Sequence, residues 1–151
     1  MGIILRLSLT IPGKTGLRRG FQKKGLYRKE ANGMRFSRKL VLEDGQVYEG
    51  YGFGDMRERV CELVFNTSMT GYQEIFSDPS YTDQGVVMTY PLIGNYGMAG
   101  EDYETEVPTM GAMIVREYND EPSNFRSAAT LSEKMKQFGI PGICGIDTRK
   151  L

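Results

Sequence analysis

Residues 61–90, CELVFNTSMTGYQEIFSDPSYTDQGVVMTY, decide the fold class. The first six, CELVFN, read as a strand with Leu63 and Phe65 on one face and Val64 on the other. Thr70 and Gln73 then have the spacing of a capping box, in which hydroxyl and amide each satisfy the other residue's backbone N–H. The helix they open is short, because Asp78-Pro79 disfavours helical geometry and stops it near Ser77. Residues 86–90, VVMTY, have the composition of a buried strand. A strand, a helix and a strand in succession place the chain in the α/β class.

Upstream, the apolar-rich segments 39–42 and 46–51 flank Asp44-Gly45, a two-residue hairpin signal. Gly50, Gly52 and Gly54 read as a flexible exit from that hairpin. Their spacing is not G-x-G-x-x-G, since position 57 is Arg57, so no dinucleotide site follows. Downstream, 91–97 (PLIGNYG) reads as a glycine-rich turn in which Asn95 can take positive φ. Residues 110–115 (MGAMIV) form another buried strand. Thr130 and Glu133 make a second capping box, and Leu131, Met135 and Phe138 line one helical face. Gly139 ends that helix and Pro141 prevents its return. Residues 143–146 supply a final strand, and Asp147 is a good N-cap for a further helix. The chain ends at Leu151, one turn later, and one turn cannot repay helix nucleation. The expectation is therefore a truncated chain, the first domain of a longer protein.

Composition narrows the chemistry. With 151 residues, 40% hydrophobic and 25% charged, the chain can bury a real core. It contains no histidine, which excludes Ser-His and Cys-His pairs and imidazole metal ligands. Cys61 and Cys144 form no C-x-x-C unit and read as small core residues in a reduced, cytoplasmic compartment. The sequence 142–145 (GICG) looks like a nucleophile elbow, but position 146 is Ile146 and no histidine can activate a thiolate. Glu101, Asp102, Glu104 and Glu106 could bind a metal or act as acid and base, yet they lack any recognised ligand spacing and read as a solvated loop. Asn66-Thr67-Ser68 matches a glycosylation sequon that a cytoplasmic chain leaves unused. No metal site and no catalytic residue is expected.

The net charge of zero conceals an asymmetry. Residues 1–39 carry eleven Lys/Arg and one acid, Glu30, whereas residues 40–151 carry eight Lys/Arg against eighteen Asp/Glu. An acidic body argues against nucleic acid as its main ligand. The leader, residues 1–36, shows repeated glycines and basic pairs but no sustained period. Gly13-Lys14-Thr15 lacks the first glycine of a P-loop, because position 8 is Ser8. Arg6 occupies the position where a myristoylation signal needs Ser or Thr, and it interrupts the apolar run a secretory signal needs. An organellar transit peptide lacks its serine enrichment here, and no apolar run is long enough to cross a membrane. The leader is expected to be disordered or an over-called start preceding Met34. An alternative is a stand-alone binding module that uses this basic leader to hold RNA or an acidic surface.

Five blocks carry a family resemblance. Residues 65–81 (FNTSMTGYQEIFSDPSY), 40–45 (LVLEDG), 89–97 (TYPLIGNYG), 122–126 (PSNFR) and 145–151 (GIDTRKL) closely resemble the small subunit of glutamine-dependent carbamoyl-phosphate synthetase. The likeness runs from about Lys39 to Leu151 and leaves the leader outside. It implies an N-terminal domain over residues 37–151, an α/β unit of layered β/β/α type with helices on one side, whose strand order the sequence cannot fix. It also implies docking to the large synthetase subunit, which would hold the ATP and Mg. A separate glutaminase domain would carry a Cys–His–Glu triad that has no counterpart here. The serine of the family's D-P-S-Y motif contacts glutamine, and that position is Ser80 in this sequence. Asp78-Pro79-Ser80-Tyr81 is a turn that can present a hydroxyl at a cleft. The assembled enzyme would make carbamoyl phosphate from glutamine, bicarbonate and ATP for pyrimidine or arginine synthesis.

Overall fold

Asp44 and Gly45 do turn the chain. Gly45 takes φ +86°, its N–H donates to the Leu42 carbonyl (3.0 Å), and the Leu42 N–H donates to the Gln46 carbonyl (2.9 Å). The loop is thus three residues, a tight turn followed by a left-handed glycine, rather than the two-residue form expected. It joins strand β2 (Phe36–Leu42) to β3 (Val47–Gly54) in a computed structural model that describes residues 3–10, 36–68, 71–93, 107–119 and 129–151. The other strands are β1 (Ile3–Thr10), β4 (Arg59–Asn66), β5 (Gln84–Ile93), β6 (Ala112–Tyr118) and β7 (Pro141–Cys144). Helix α1 (Tyr72–Ser77) lies between β4 and β5, and α2 (Leu131–Phe138) between β6 and β7.

The strands form a closed barrel in the order β1-β2-β3-β7-β6-β5-β4. The run β4-β5-β6-β7 is parallel, and every other pairing is antiparallel. Side chains along a strand alternate between faces, so one sheet serves two cores. Leu40, Leu42, Cys61, Leu63, Val87, Ala112, Ile114, Ile143 and Ile146 fill the inner one. Val86, Met88, Met113, Val115 and Cys144 face outward, where Tyr72, Ile75 and Phe76 of α1 and Leu131 and Met135 of α2 cover them. The layering is β/β/α, as the sequence implied: a sheet folded over itself with helices on one outer side. Strands β5 and β6 read as continuous apolar runs because both of their faces are buried.

α2 follows its local chemistry throughout. The Thr130 hydroxyl accepts from the Glu133 N–H (3.2 Å), and the Glu133 carboxylate accepts from the Thr130 N–H (2.9 Å). Gly139 ends the helix at φ +70°, and the Ile140 N–H donates to the Met135 carbonyl. The helix docks on the sheet through Ser132, whose hydroxyl accepts from the Gly54 N–H and whose N–H donates to the Tyr118 hydroxyl, both at 3.0 Å. Tyr118 in turn stacks on Phe53, with ring centroids 4.2 Å apart.

Several expectations need correction, among them the turn over 91–97, since Pro91, Leu92 and Ile93 continue β5 and 94–97 lie outside the described residues. Within the leader, Ile3–Thr10 is a strand paired with both β2 and β4. The alternation Leu5, Leu7, Leu9 against Arg6, Ser8, Thr10 is a strand period, interrupted only by Ile4. Residues 11–35 lie outside the described residues. The glycines at 50, 52 and 54 are not an exit but part of β3, which pairs with β7 through Tyr51–Gly54. A Cβ on Gly50 would lie 2.3 Å from the Cys144 carbonyl oxygen, so glycine there permits close approach of two backbones. α1 begins at Gly71, in left-handed geometry (φ 79°) with no side-chain cap, not at a Thr70 box; Thr70 lies outside the described residues. Finally, the last strand is Pro141–Cys144. Asp147 opens a turn in which its carboxylate accepts from the Arg149 N–H (3.2 Å) and its carbonyl from the Lys150 N–H (3.0 Å).

Candidate functional site

Ser80 lies in the connection from α1 to β5. Asp78 leaves the helix with extended geometry, and Pro79–Tyr81 forms a single 3-10 turn. Proline suits the first position of that turn because no partner is needed for a backbone N–H there. The Asp78 carboxylate Oδ1 accepts from the Ser80 backbone N–H (2.8 Å) and from the Ser80 hydroxyl. These hydrogen bonds hold the Asp78 carboxyl below the usual carboxylate range, because they favour its charged form. Ser80 itself is exposed. With its proton committed to Asp78, the hydroxyl presents lone pairs outward and can accept a hydrogen bond from an ammonium or amide.

The segment after Ser80 is clamped on both sides. The Tyr81 hydroxyl accepts from Asn66 Nδ2 (2.9 Å), and Asn66 Oδ1 accepts from the Ser68 N–H (2.8 Å). The sequon asparagine therefore organises the exit from β4. The Thr82 hydroxyl donates to the Pro79 carbonyl and also shares a hydrogen bond with the Thr109 hydroxyl, each at 2.7 Å. Asp83 takes φ 57°, a left-handed geometry that aspartate tolerates, and its N–H donates to the Thr109 carbonyl (2.9 Å). Gly111 packs against it: a Cβ there would sit 2.7 Å from the Asp83 backbone. The turn that carries Ser80 is thus held by β4 and by the segment leading into β6.

Among the described residues, the remaining candidates supply no second reactive group. Cys61 and Cys144 are buried, as a core role requires. Burial pushes the Cys61 thiol up to about 11, Arg59 opposes the shift and Asp83 reinforces it, so the thiolate is scarce at neutral pH. Cys144 stands in the outer core beside the helices. The acidic cluster 101–106 and the block 122–126 lie outside the described residues. Among the described residues, no group of three or more His, Cys, Asp or Glu could hold a metal ion. None of the described helices is long and apolar enough to cross a membrane.

Arg38 is the residue that sequence reading passed over, counted only among the charges of residues 1–39. It is 1% exposed, on the same face of β2 as Leu40 and Leu42. Its guanidinium donates to the carbonyls of Gly142 (3.2 Å), Asp55 (2.9 Å) and Arg57 (3.3 Å). Burial lowers its pKa to about 10, against the favourable charges of Asp55 and Glu58. Asp55 is itself partly buried, which disfavours its charge. Hydrogen bonds from Arg57 and the charges of Arg57 and Arg38 outweigh that and keep its carboxyl low. Two of these carbonyls belong to the β3–β4 connection and the third to β7, so Arg38 is a brace rather than a ligand site. Its three carbonyl partners lie far along the chain, so the local sequence offered no sign of this.

Residues 40–151 match the family described as carbamoyl-phosphate synthase small chain, CPSase domain. The carbamoyl phosphate synthase small chain of Fusobacterium nucleatum is 61% identical over 116 residues, covering 77% of this chain and 32% of that protein. The small chain of Oceanobacillus iheyensis is 55% identical over 114 residues, covering 76% and 31%. The pyrimidine-specific small chain of Bacillus subtilis is 56% identical over 114 residues, again covering 76% and 31%. The chain spans about a third of the length of the curated relatives it matches.

Proposed function

The chain belongs to the carbamoyl-phosphate synthase small-chain family, and on that basis we propose that it is the N-terminal domain of a glutamine-dependent synthetase small subunit. It docks the large synthetase subunit and contributes Ser80 to the glutamine site. The glutaminase triad belongs to a separate domain, and ATP and Mg to the large subunit. The whole enzyme makes carbamoyl phosphate from glutamine, bicarbonate and ATP in the cytoplasm, for pyrimidine or arginine synthesis. The chain alone releases no ammonia from glutamine.

One observation carries the Ser80 role: an exposed hydroxyl in a doubly clamped turn, its proton directed to Asp78 and its lone pairs outward. Glutamine offers an α-ammonium, a donor for which a fixed oxygen is a suitable acceptor. A hydrogen bond to a charged group contributes about 1.5–3 kcal/mol, or about tenfold to a hundredfold in affinity. In the assembled synthetase, Ser80→Ala should raise KM for glutamine by about tenfold and leave ammonia-supported synthesis unchanged. An unaltered glutamine KM would remove Ser80 from the site. Affinity capture of this chain by the large subunit tests docking separately.

A further inference from the structure

Without β1 the barrel is an open, strongly curled sheet of six strands with β2 and β4 as its edges. β1 pairs with β2 through Leu5–Thr10 and with β4 through Ile3–Leu7, so Leu5, Arg6 and Leu7 are bonded on both sides. One strand bridges the two edges, which places them roughly 9–10 Å apart, twice the strand spacing. The family match begins at residue 40, and β1 lies outside it.

The slot matches its occupant at three apolar positions. Ile3 stands opposite Leu63, Leu5 between Leu42 and Cys61, and Leu7 between Leu40 and Arg59. Leu63, Leu42, Cys61 and Leu40 belong to the inner core. Arg6 stands between Val41 and Val60, and Val60 is 65% exposed. Ile3, Leu5 and Leu7 therefore occupy the register positions of the core and Arg6 that of the outer surface, with Ile4, opposite the exposed Glu62, as the exception. A shift by one residue would invert this match.

We propose that the gap between β2 and β4 is a strand-acceptor site, and that Ile3–Thr10 is its covalently attached occupant. The ligand class is an extended peptide, antiparallel to both flanking strands and apolar at every second position. The leader seals two edges that would otherwise expose rows of unpaired N–H and C=O groups. Ile3–Thr10 is then part of the working domain, not a dispensable start before Met34.

Hydrogen exchange on the intact chain tests this. In a strand paired on both sides every amide is bonded, whereas an edge strand leaves alternate amides open. The consecutive amides of Leu5, Arg6 and Leu7 should each exchange on the order of a hundredfold more slowly than in the free peptide. Fast exchange at all three, or at alternate ones, overturns the proposal. Arg6→Pro removes a ladder N–H and keeps the rest of the chain. It should release the amides of Ile3–Thr10 and speed exchange along the facing edges of β2 and β4, while β5 and β6 keep their protection. Loss of protection in β5 and β6 to the same extent, or no change at β2 and β4, overturns it. The protected species must also be a monomer by light scattering; protection found only in a dimer would assign the slot to the leader of a second copy.

Discussion

The four parallel strands β4–β7 and the three antiparallel strands β1–β3 share one sheet, but among the described residues the helices lie over the parallel strands and, in the antiparallel part, over the Phe53–Gly54 end of β3. The outer face of the parallel part lies under α1 and α2, and residues such as Val86, Met113 and Val115 are fully buried. The outer face of β3 before Phe53 is open to solvent, with Val47 at 52% and Tyr51 at 48% exposed. The connections cause the difference. A parallel pair needs a crossover, which deposits a helix on the sheet, whereas a hairpin returns within a few residues and covers nothing. Stability is therefore concentrated in one part, and the turn carrying Ser80 is built on that part.

The largest effect should come from the helix layer. Phe76 is wholly buried on α1 and meets Phe138 of α2 edge-on, with centroids 6.4 Å apart. Phe76→Ala should cost about 3–5 kcal/mol in urea unfolding, whereas Val47→Ala on the bare face should stay within about 0.5 kcal/mol. Equal losses would abolish the contrast. Next comes the brace between the parts. Arg38→Met fills similar space but leaves buried carbonyls without their donor, a cost of about 1–3 kcal/mol. Its unfolding should also show a selective rise in amide exchange at the junction of β3 and β7.

Thr130→Ala removes the hydroxyl of the α2 capping box and should cost about 1 kcal/mol, read as a shift in the urea midpoint. The same change at Thr109, whose hydroxyl only meets Thr82, should cost less. The smallest effect is acidic. Asp78 has its carboxyl held below the usual value of 3.8, so its hydrogen bonds to Ser80 stabilise the fold above that pH and are lost as pH falls through the lower folded value. NMR titration should show the Asp78 midpoint rising toward 3.8 in Ser80→Ala, with little change in overall stability.

What the sequence made legible was local. The α2 capping box, its Gly139 stop and the Asp44-Gly45 turn each depend on partners within a few residues, and all three stand as expected apart from one extra residue in the hairpin loop. The runs in β5 and β6 were legible because burial of both faces removes polar interruptions. What stayed hidden was nonlocal. Gly50 is required by the Cys144 backbone, and Arg38 bonds to Gly142, 104 positions away. β1 has a clear period, but its partners follow a long basic stretch that drew attention to charge instead. At the site, the turn geometry of Asp78-Pro79-Ser80 could be read directly. The clamp from Asn66 and Thr109 could not, because it joins segments from either side of β5.

The two-core sheet has a further consequence for how the chain finds its fold. In a half-exposed strand, slipping by one residue buries charge and is rejected on polarity alone. Val86-Val87-Met88 and Ala112-Met113-Ile114-Val115 offer no such check, because every position is apolar. Within these runs volume distinguishes the correct alignment, with Gln84 and Arg116 marking their ends: Ala112 and Val87 fit inside the barrel, and Met88 and Met113 fit beneath the helices. Misaligned pairings of β5 with β6 are then nearly as dry as the native one and are sorted by shape, late and slowly. The time needed to reach the native state, more than its depth, is where this architecture leaves its mark.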